Sequence, residues 1–344
     1  MTTSLQAYKR KSYKADKLAS LAAFMRCAVD ISFVIVNWNT RELLIDCLHS
    51  LQNAVGSCRY EVFVVDNGSR DGSPDAVRRR FGHQVQLIAN SENLGFARAN
   101  NQALRRATGT YIVLLNSDTI LQPDTIQGLI AFLDRHAEAA MVGPRMIGGD
   151  GRLQNSYDNF PCLATELLNK SVLRMMFPGR FSGKSATASE PFEVDSLIGA
   201  CVAVRRKALE EVGLFDEDYF FFLEETDWCL RMRKAGWKIV HHPGVSIVHL
   251  QGQSKKRRPS LAWIEYYRSL YTFFKKHRSR SAYTVLRIFR FLKLVVNLLL
   301  TVCGLCCTLG IKQRYRDKTI VYGRLVWWHL RLCPAGVGLK GSRQ

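Results

Sequence analysis

Carboxylates are nearly absent from the last quarter of this chain. Residues 251–344 hold 20 Lys/Arg against only Glu265 and Asp317, a net +18. Residues 1–29 repeat the bias on a smaller scale, with six Lys/Arg against Asp16. The whole chain carries +20, so the stretch between, 30–250, is slightly acidic at −3. A nucleic-acid binder usually carries its basic face on the folded domain. Here the charge lies on a tail that is also apolar, which argues against nucleic acid and suits an anionic membrane surface. The ten cysteines lack the spacing of a disulfide-framed secreted domain. Most sit in apolar runs, as buried free thiols do, and this points to a reducing compartment. Cys303-x-x-Cys306 has redox spacing but lies in an apolar stretch without a second pair, so small-residue packing is expected. The N-terminal stretch lacks a long apolar core ahead of a small-residue cleavage site. It reads as a basic, mobile or weakly amphipathic leader, not a signal peptide. No internal repeat is visible.

What is present is a core-forming chain of 344 residues, 47% apolar, enough for one large domain or two ordinary ones. "ISFVIV" (31–36) is continuously apolar and β-branched, as a strand buried on both faces should be. A helix is expected over 40–54, where Leu43, Leu44, Cys47, Leu48 and Leu51 share one face. Strands follow at 60–66, 85–89, 110–116 and 139–147, and helices after the 66–72 turn, over 96–108 and over 123–136, the last begun by Pro123. Short-spaced alternation predicts a mostly parallel sheet with helices on both faces. Residues 177–192 read as a mobile loop. Residues 194–254 read as a strand, a short helix, an acidic-aromatic turn, a helix over 224–235 and two short strands.

Ligands of such sheets bind beyond the carboxyl ends of the strands. Polar clusters fall there four times: Asn37-Trp38-Asn39, Asp66-Asn67-Gly68-Ser69, Asn90 to Gly95, and Asn116-Ser117-Asp118. The pieces "VIVNWN", "VVDNGSRDGS", "NLGFARANNQAL", "LLNSDT", "GACVAVRRKALEEVGLFDEDYFFFLEETDWCLRMRKAGWKI" and "VHLQGQS" occur in order over residues 31–254. With them the chain resembles the family 2 glycosyltransferases of the GT-A fold, in their rhamnosyltransferase-like branch.

The resemblance implies a site. Asp66 would accept a hydrogen bond from a pyrimidine ring imide, although "DNGS" is also a strong turn in which Asp66 is the cap. Asn37, Asn39 and Asn67 would lie beside it. Gly95 would place a helix N-terminus near the donor diphosphate, with Arg98 and Asn100 or Asn101 facing the ligand. Most family members carry Asp-x-Asp where this chain has Asn116-Ser117-Asp118, and the rhamnosyltransferase-like branch commonly has Asn first. Asp118 would hold a divalent cation, magnesium or manganese, with His249 as a further ligand. Asn116 as a mere turn residue and His249 as a packed strand histidine are the structural alternatives. Glu225 of "FFLEETDWCLR" would be the general base, with Asp227 second and more structural in character. Gly199 and Ala200 would leave room for a sugar ring, with Trp228 nearby.

Three regions are therefore expected: a leader over 1–29, a GT-A domain over 30–254 and a basic, apolar helical region over 255–344. "FLKLVVNLLLTVCGLCCTLGI" (291–311) reaches the length of a membrane span, but positive charge flanks it on both sides and gives no orientation. An interfacial helix fits as well, and the Trp327-Trp328 pair suits an interface anchor. The expected protein is an inverting transferase moving a sugar, L-rhamnose from dTDP-rhamnose, to a lipid-linked or polysaccharide acceptor. It would work at the cytoplasmic face of the plasma membrane, peripheral or anchored through residues 283–332. A UDP-dependent galactofuranosyl or other hexosyl transferase is the alternative, and a non-catalytic sugar-nucleotide-binding scaffold a third.

Overall fold

A computed structural model describes residues 30–177, 188–250, 259–334 and 336–339. The leader, most of the 177–192 stretch and the end of the "VHLQGQS" motif lie outside the described residues.

Strands β1 (Ile31–Asn37), β2 (Tyr60–Asp66), β3 (Gln86–Ala89) and β4 (Tyr111–Asn116) form a parallel block in the order β3-β2-β1-β4. β5 (Thr119–Leu121), β6 (Ala139–Ile147), β7 (Tyr157–Asp158), β8 (Phe192–Glu193), β9 (Ser196–Leu197), β10 (Cys201–Arg205) and β11 (Lys238–His249) follow in sequence. β10 runs antiparallel between β4 and β6. β6 pairs in parallel with β11, which takes β5 and β8 as antiparallel partners. β7 and β9 make a separate two-stranded ribbon.

The register sets the site. Asn37 of β1 stands opposite Asp66 of β2, and Val36 opposite Asn116 of β4. Parallel strands begun at one edge finish together at the other, so three polar clusters emerge side by side. Helices Arg41–Ala54 and Thr125–Arg135 bury Leu44, Leu48, Leu51, Ile126 and Leu129 on one face of the sheet. Helices Phe96–Leu104 and Glu224–Lys234 bury Ala99, Ala103, Trp228 and Met232 on the other. Each large apolar side chain so buried contributes roughly 1.5–3 kcal/mol. A third apolar cluster joins the C-terminal helices Pro259–His277, Arg280–Cys307 and Gln313–Leu330 through Phe273, Phe274, Leu286, Leu294 and Trp328, and it takes in Tyr219 and Leu230 of the sheet domain.

Several boundaries differ from the sequence reading. The helix expected over 96–108 ends at Leu104, because Gly109 must lie against the backbone of Ser32, where an added Cβ would sit 2.6 Å from its nitrogen. The helix expected from Pro123 starts at Thr125, after Asp124 in the left-handed region. The two last strands are one, β11, with a register shift between His242 and Ser246, at Pro243-Gly244, where proline offers no N–H to the ladder. Cys303, Cys306 and Cys307 are exposed rather than packed.

Candidate active site

At the carboxyl edge of the parallel block a chain of hydrogen bonds links the polar clusters. Asn37 Nδ2 donates to Asp66 Oδ1 (2.9 Å) and Ser69 Oγ (3.2 Å), and Asp66 Oδ2 accepts from the Ser69 backbone N–H (2.9 Å). Thr40 Oγ1 donates to Asn37 Oδ1 (2.7 Å). Its one proton is then used, so the 2.9 Å contact with Ser117 Oγ is a bond that Ser117 donates. Asn67 reaches the next loop, giving to Asn93 Oδ1 and accepting from the Leu94 N–H. These buried amides are satisfied, so the edge is rigid before any ligand arrives.

Beyond that edge lies a cavity of about 240 Å³. Asn67, Asn93, Ser117, Asp118 and His249 form its polar side. Phe96, Phe220, Phe221, Phe222 and Ile198 form an apolar wall, and Gly199, Ala200, Glu224 and Glu225 close the floor. The Glu225 side chain lies against Gly199, where an added Cβ would stand 3.8 Å from it. Ala262 and Leu339 of the C-terminal region complete the rim.

The acidic pair opens the helix Glu224–Lys234, where the backbone N–H groups favour carboxylates. Phe222 and Leu223 immediately before it both have positive φ, 73° and 66°. Non-glycine residues reach this region at a cost of about 1–2 kcal/mol each. The strained turn is held from outside: Ser269 Oγ donates to the Phe221 carbonyl (2.8 Å), and the Phe96 N–H donates to the Phe220 carbonyl (2.7 Å). The second bond needs Gly95 at φ 90°, since a Cβ there would meet Phe220 O at 2.6 Å.

Asp118 and His249 face each other, Oδ1 to Nε2 at 3.3 Å, both largely buried. Gln154 decides the tautomer. Its Nε2 donates to the His249 carbonyl (2.9 Å), so its Oε1 is the atom 3.0 Å from His249 Nδ1. Nδ1 must therefore donate, and the neutral ring presents the Nε2 lone pair to a carboxylate. Two acceptors so placed require a cation or a proton between them. Two donor atoms about 2.1 Å from one hard cation, at a right angle, lie about 3 Å apart. An oxygen and a nitrogen donor so placed would suit a divalent ion. Gln154 carried no signal in the sequence, because its partner lies 95 positions away.

Of the residues expected at the site, Asn67, Gly95, Asn116, Ser117, Asp118, Gly199, Ala200, Glu225 and His249 line the cavity. The others are placed elsewhere. Asn37 and Asp66 are buried in the turn network, with both Asp66 oxygens taken. Asn39 receives the Arg70 N–H. Arg98 points outward to Glu217, and Asn100 bonds back to the Phe96 carbonyl. The helix N-terminus at Gly95 does not offer its first N–H to a ligand, since Phe220 holds it. Asp227 is 1% exposed and binds Arg231 Nε (2.8 Å) and His277 Nε2 (2.6 Å). Burial pushes its carboxyl up, but the bonds from His277 and Arg231 outweigh this and hold it below the usual carboxylate range. Trp228 is fully buried, its ring packed at a tilt against Phe215 and its N–H on the Gly213 carbonyl. Trp38, Asn93 and Glu224, which the sequence placed in the polar and acidic clusters without assigning them a role, also line the cavity, as do Ala262 and Leu339 of the C-terminal region, which carried no signal. Only the aromatic triplet 220–222 had marked its own neighbourhood.

Comparison with known proteins gives the family and the fold. The model of the family described as Glycosyl transferase family 2 matches residues 32–213. The N-acetylglucosaminyl-diphospho-decaprenol L-rhamnosyltransferase of Mycobacterium tuberculosis is 30% identical over 234 residues, 63% of this chain and 75% of that protein. A low-salt glycan biosynthesis hexosyltransferase of Haloferax volcanii is 24% identical over 269 residues, 75% and 81% of the two chains. Among solved structures, a Pyrobaculum calidifontis mannosyltransferase in complex with GDP-Man and Mn2+ superposes with a TM-score of 0.53 at 18% identity, covering 94% of this chain and 96% of its own. GalNAc-T7 with UDP, GalNAc and Mn2+ gives 0.52 at 18%, covering 71% of this chain. This chain spans about half of GalNAc-T7 (48%). At that identity the two structures speak to the fold alone.

Proposed function

The chain belongs to glycosyltransferase family 2, and from that premise we propose that it moves L-rhamnose from dTDP-rhamnose to a lipid-linked or polysaccharide acceptor, with inversion, in cell-surface glycan synthesis. The observation that carries the reading is one cavity lined by both the Asp118–His249 acceptor pair and Glu225. The sugar and acceptor follow the printed activity of the mycobacterial relative.

Asp118 and His249 are the residues that would hold a divalent cation, magnesium or manganese. Such an ion, when bound, supplies positive charge to the leaving diphosphate. Glu225 takes the proton of the acceptor hydroxyl. The freed oxygen bonds to the anomeric carbon as the bond to the phosphate oxygen breaks. The nucleoside diphosphate leaves with the electron pair. One displacement inverts the anomeric centre, and the small residues Gly199 and Ala200 leave room for the ring. Asp66 and Asn37 act at one remove: they fix the turn from which Asn67 and the 90–95 loop face the nucleotide. The apolar, basic C-terminal region would keep the enzyme at the cytoplasmic membrane face, where a lipid-linked acceptor is found.

Calorimetric titration with dTDP and UDP, each with and without Mn2+, tests the donor. Metal-dependent binding that favours dTDP, followed by transfer of labelled rhamnose to a polyprenyl-diphosphate sugar, is the expected result. A preference for UDP would move the assignment to a galactofuranosyl or other hexosyl transferase. Tight binding without transfer to any acceptor would favour a non-catalytic scaffold.

A further inference from the structure

The helix Arg280–Cys307 is long and apolar enough to cross a membrane, and only 11% of its most apolar window is buried. Its attachments contradict a crossing. The Arg287 guanidinium lies over the ring of Tyr271 on the preceding helix, 5.7 Å to the centroid. Arg290 lies over Tyr267 and pairs with Glu166 of the sheet domain. Leu286 and Leu294 are 0% and 2% exposed. The helix is thus fixed to the rest of the protein as far as Leu294. Thirteen residues remain, 295–307, which rise about 20 Å against a hydrocarbon core of about 30 Å. The turn that follows and the first turns of the returning helix carry Lys312, Arg314, Arg316 and Lys318 against Asp317. A perpendicular hairpin would leave these cations inside the hydrocarbon, where they are strongly disfavoured.

The exposed side chains give the alternative. Val285, Ile288, Leu292, Val296 and Leu299 are all 45–59% exposed and are spaced 3, 4, 4 and 3 residues apart, a single stripe on a helix. The stripe begins beside the fixed half and runs to the tip, as a helix lying along a surface would present it. Trp327 and Leu330 of the returning helix are also exposed, with Arg331 stacked on Trp327 at 4.6 Å. Met175, Met176 and Phe177 add exposed apolar surface beyond the neighbouring segment that carries Glu166.

We propose that the hairpin of Arg280–Cys307 and Gln313–Leu330 lies in the plane of an anionic bilayer, entering one leaflet without crossing it. This rests on the membrane-associated reading above for the presence of a bilayer and adds the topology. Charge complementarity selects the occupant. The region's 20 Lys/Arg against two carboxylates would repel a second copy laid face to face, whereas anionic headgroups neutralise them.

The test uses the full-length protein and vesicles containing phosphatidylglycerol, with neither donor nor acceptor. The exposed native cysteines are replaced by Ser, and single nitroxide labels are placed at Ile288, Val296 or Leu299. Similar depths of about 5–10 Å at all three positions are expected. A Lys312→Cys variant should stay reactive to an impermeant maleimide added outside. Leu299→Glu, at an already exposed position, should weaken vesicle binding at least tenfold. Depth that increases steadily from 288 to 299, with Cys at 312 protected from outside, would overturn the proposal in favour of a span. Labels that remain in water while the protein dimerises would overturn it in favour of a self-interface. Vesicle binding without sugar transfer would keep the platform and remove the function; transfer without vesicle binding would do the reverse.

Discussion

The parallel block and the C-terminal helices solve opposite problems with opposite materials. At the edge of β1, β2 and β4, buried amides and hydroxyls satisfy one another completely: Asp66, Asn37, Thr40 and Ser117 form one chain of bonds. In the helical region the polar groups are guanidinium ions laid on tyrosine rings, and much of the apolar surface faces outward. The first arrangement fixes positions to a fraction of an ångström, as chemistry demands. The second fixes an orientation while leaving a broad face for a soft partner. They meet at Ser269 on Phe221, at His277 on Asp227, and at the rim of the cavity.

Breaking the comparison at the rigid side should cost most. Glu225→Gln is expected to reduce transfer about a thousandfold, in the range general bases supply, while dTDP binding by calorimetry is unchanged. Retained turnover would sink the base assignment. The junction comes next. Asp227→Asn leaves Arg231 and His277 without their buried anion, so unfolding free energy should fall by roughly 3–5 kcal/mol, read from denaturant midpoints. A folded sample should still transfer sugar, which separates a structural carboxylate from a catalytic one.

The sheet also carries a pH-dependent element. Burial among Tyr157 and Phe192 pushes His241 down to about 4. Its folded value lies below its unfolded one, so it contributes stability in full above about pH 6.5 and loses it as pH falls toward 4. A loss on the order of 2–3 kcal/mol is expected across that window, and His241→Phe should flatten the profile. Asp227 acts in the same direction at lower pH, since its depressed value makes its contribution fade only as pH drops below the ordinary carboxylate range.

The smallest effect sharpens the link between the regions. Ser269→Ala removes the side-chain bond given to the Phe221 carbonyl, worth about 1 kcal/mol. A several-fold fall in kcat with donor KM unchanged is expected, because the strained 222–223 turn that presents Glu225 loses its outside support. Equal losses in both constants would mean that the bond serves only stability.

Much of the site was legible because parallel strands must end together. Once "ISFVIV", "YEVFVVD" and "TYIVLLN" were read as buried strands, their polar ends had to share an edge, and Asn67, Ser117 and Asp118 do line the cavity. Which face of the edge each side chain takes was not legible. Asp66 and Asn67 are adjacent, so they point to opposite sides: Asp66 turned inward to the Ser69 N–H, and Asn67 turned toward the cavity. Asp227 and Trp228 stand beside Glu225 in sequence, yet one helical turn carries them into the core.

The sequence by itself determined the strand–helix alternation, the family and the segregation of charge into the tail, since these follow from local patterning and composition. Only the tertiary structure decided that Gln154 sets the tautomer of His249, that Ala262 and Leu339 reach the cavity rim, and that the long apolar helix is fixed through Arg287 and Arg290 along half its length. The Gln154–His249 and Arg290–Glu166 contacts join residues 95 and 124 positions apart, and Arg287 reaches Tyr271 on the preceding helix; local sequence carries no record of such meetings.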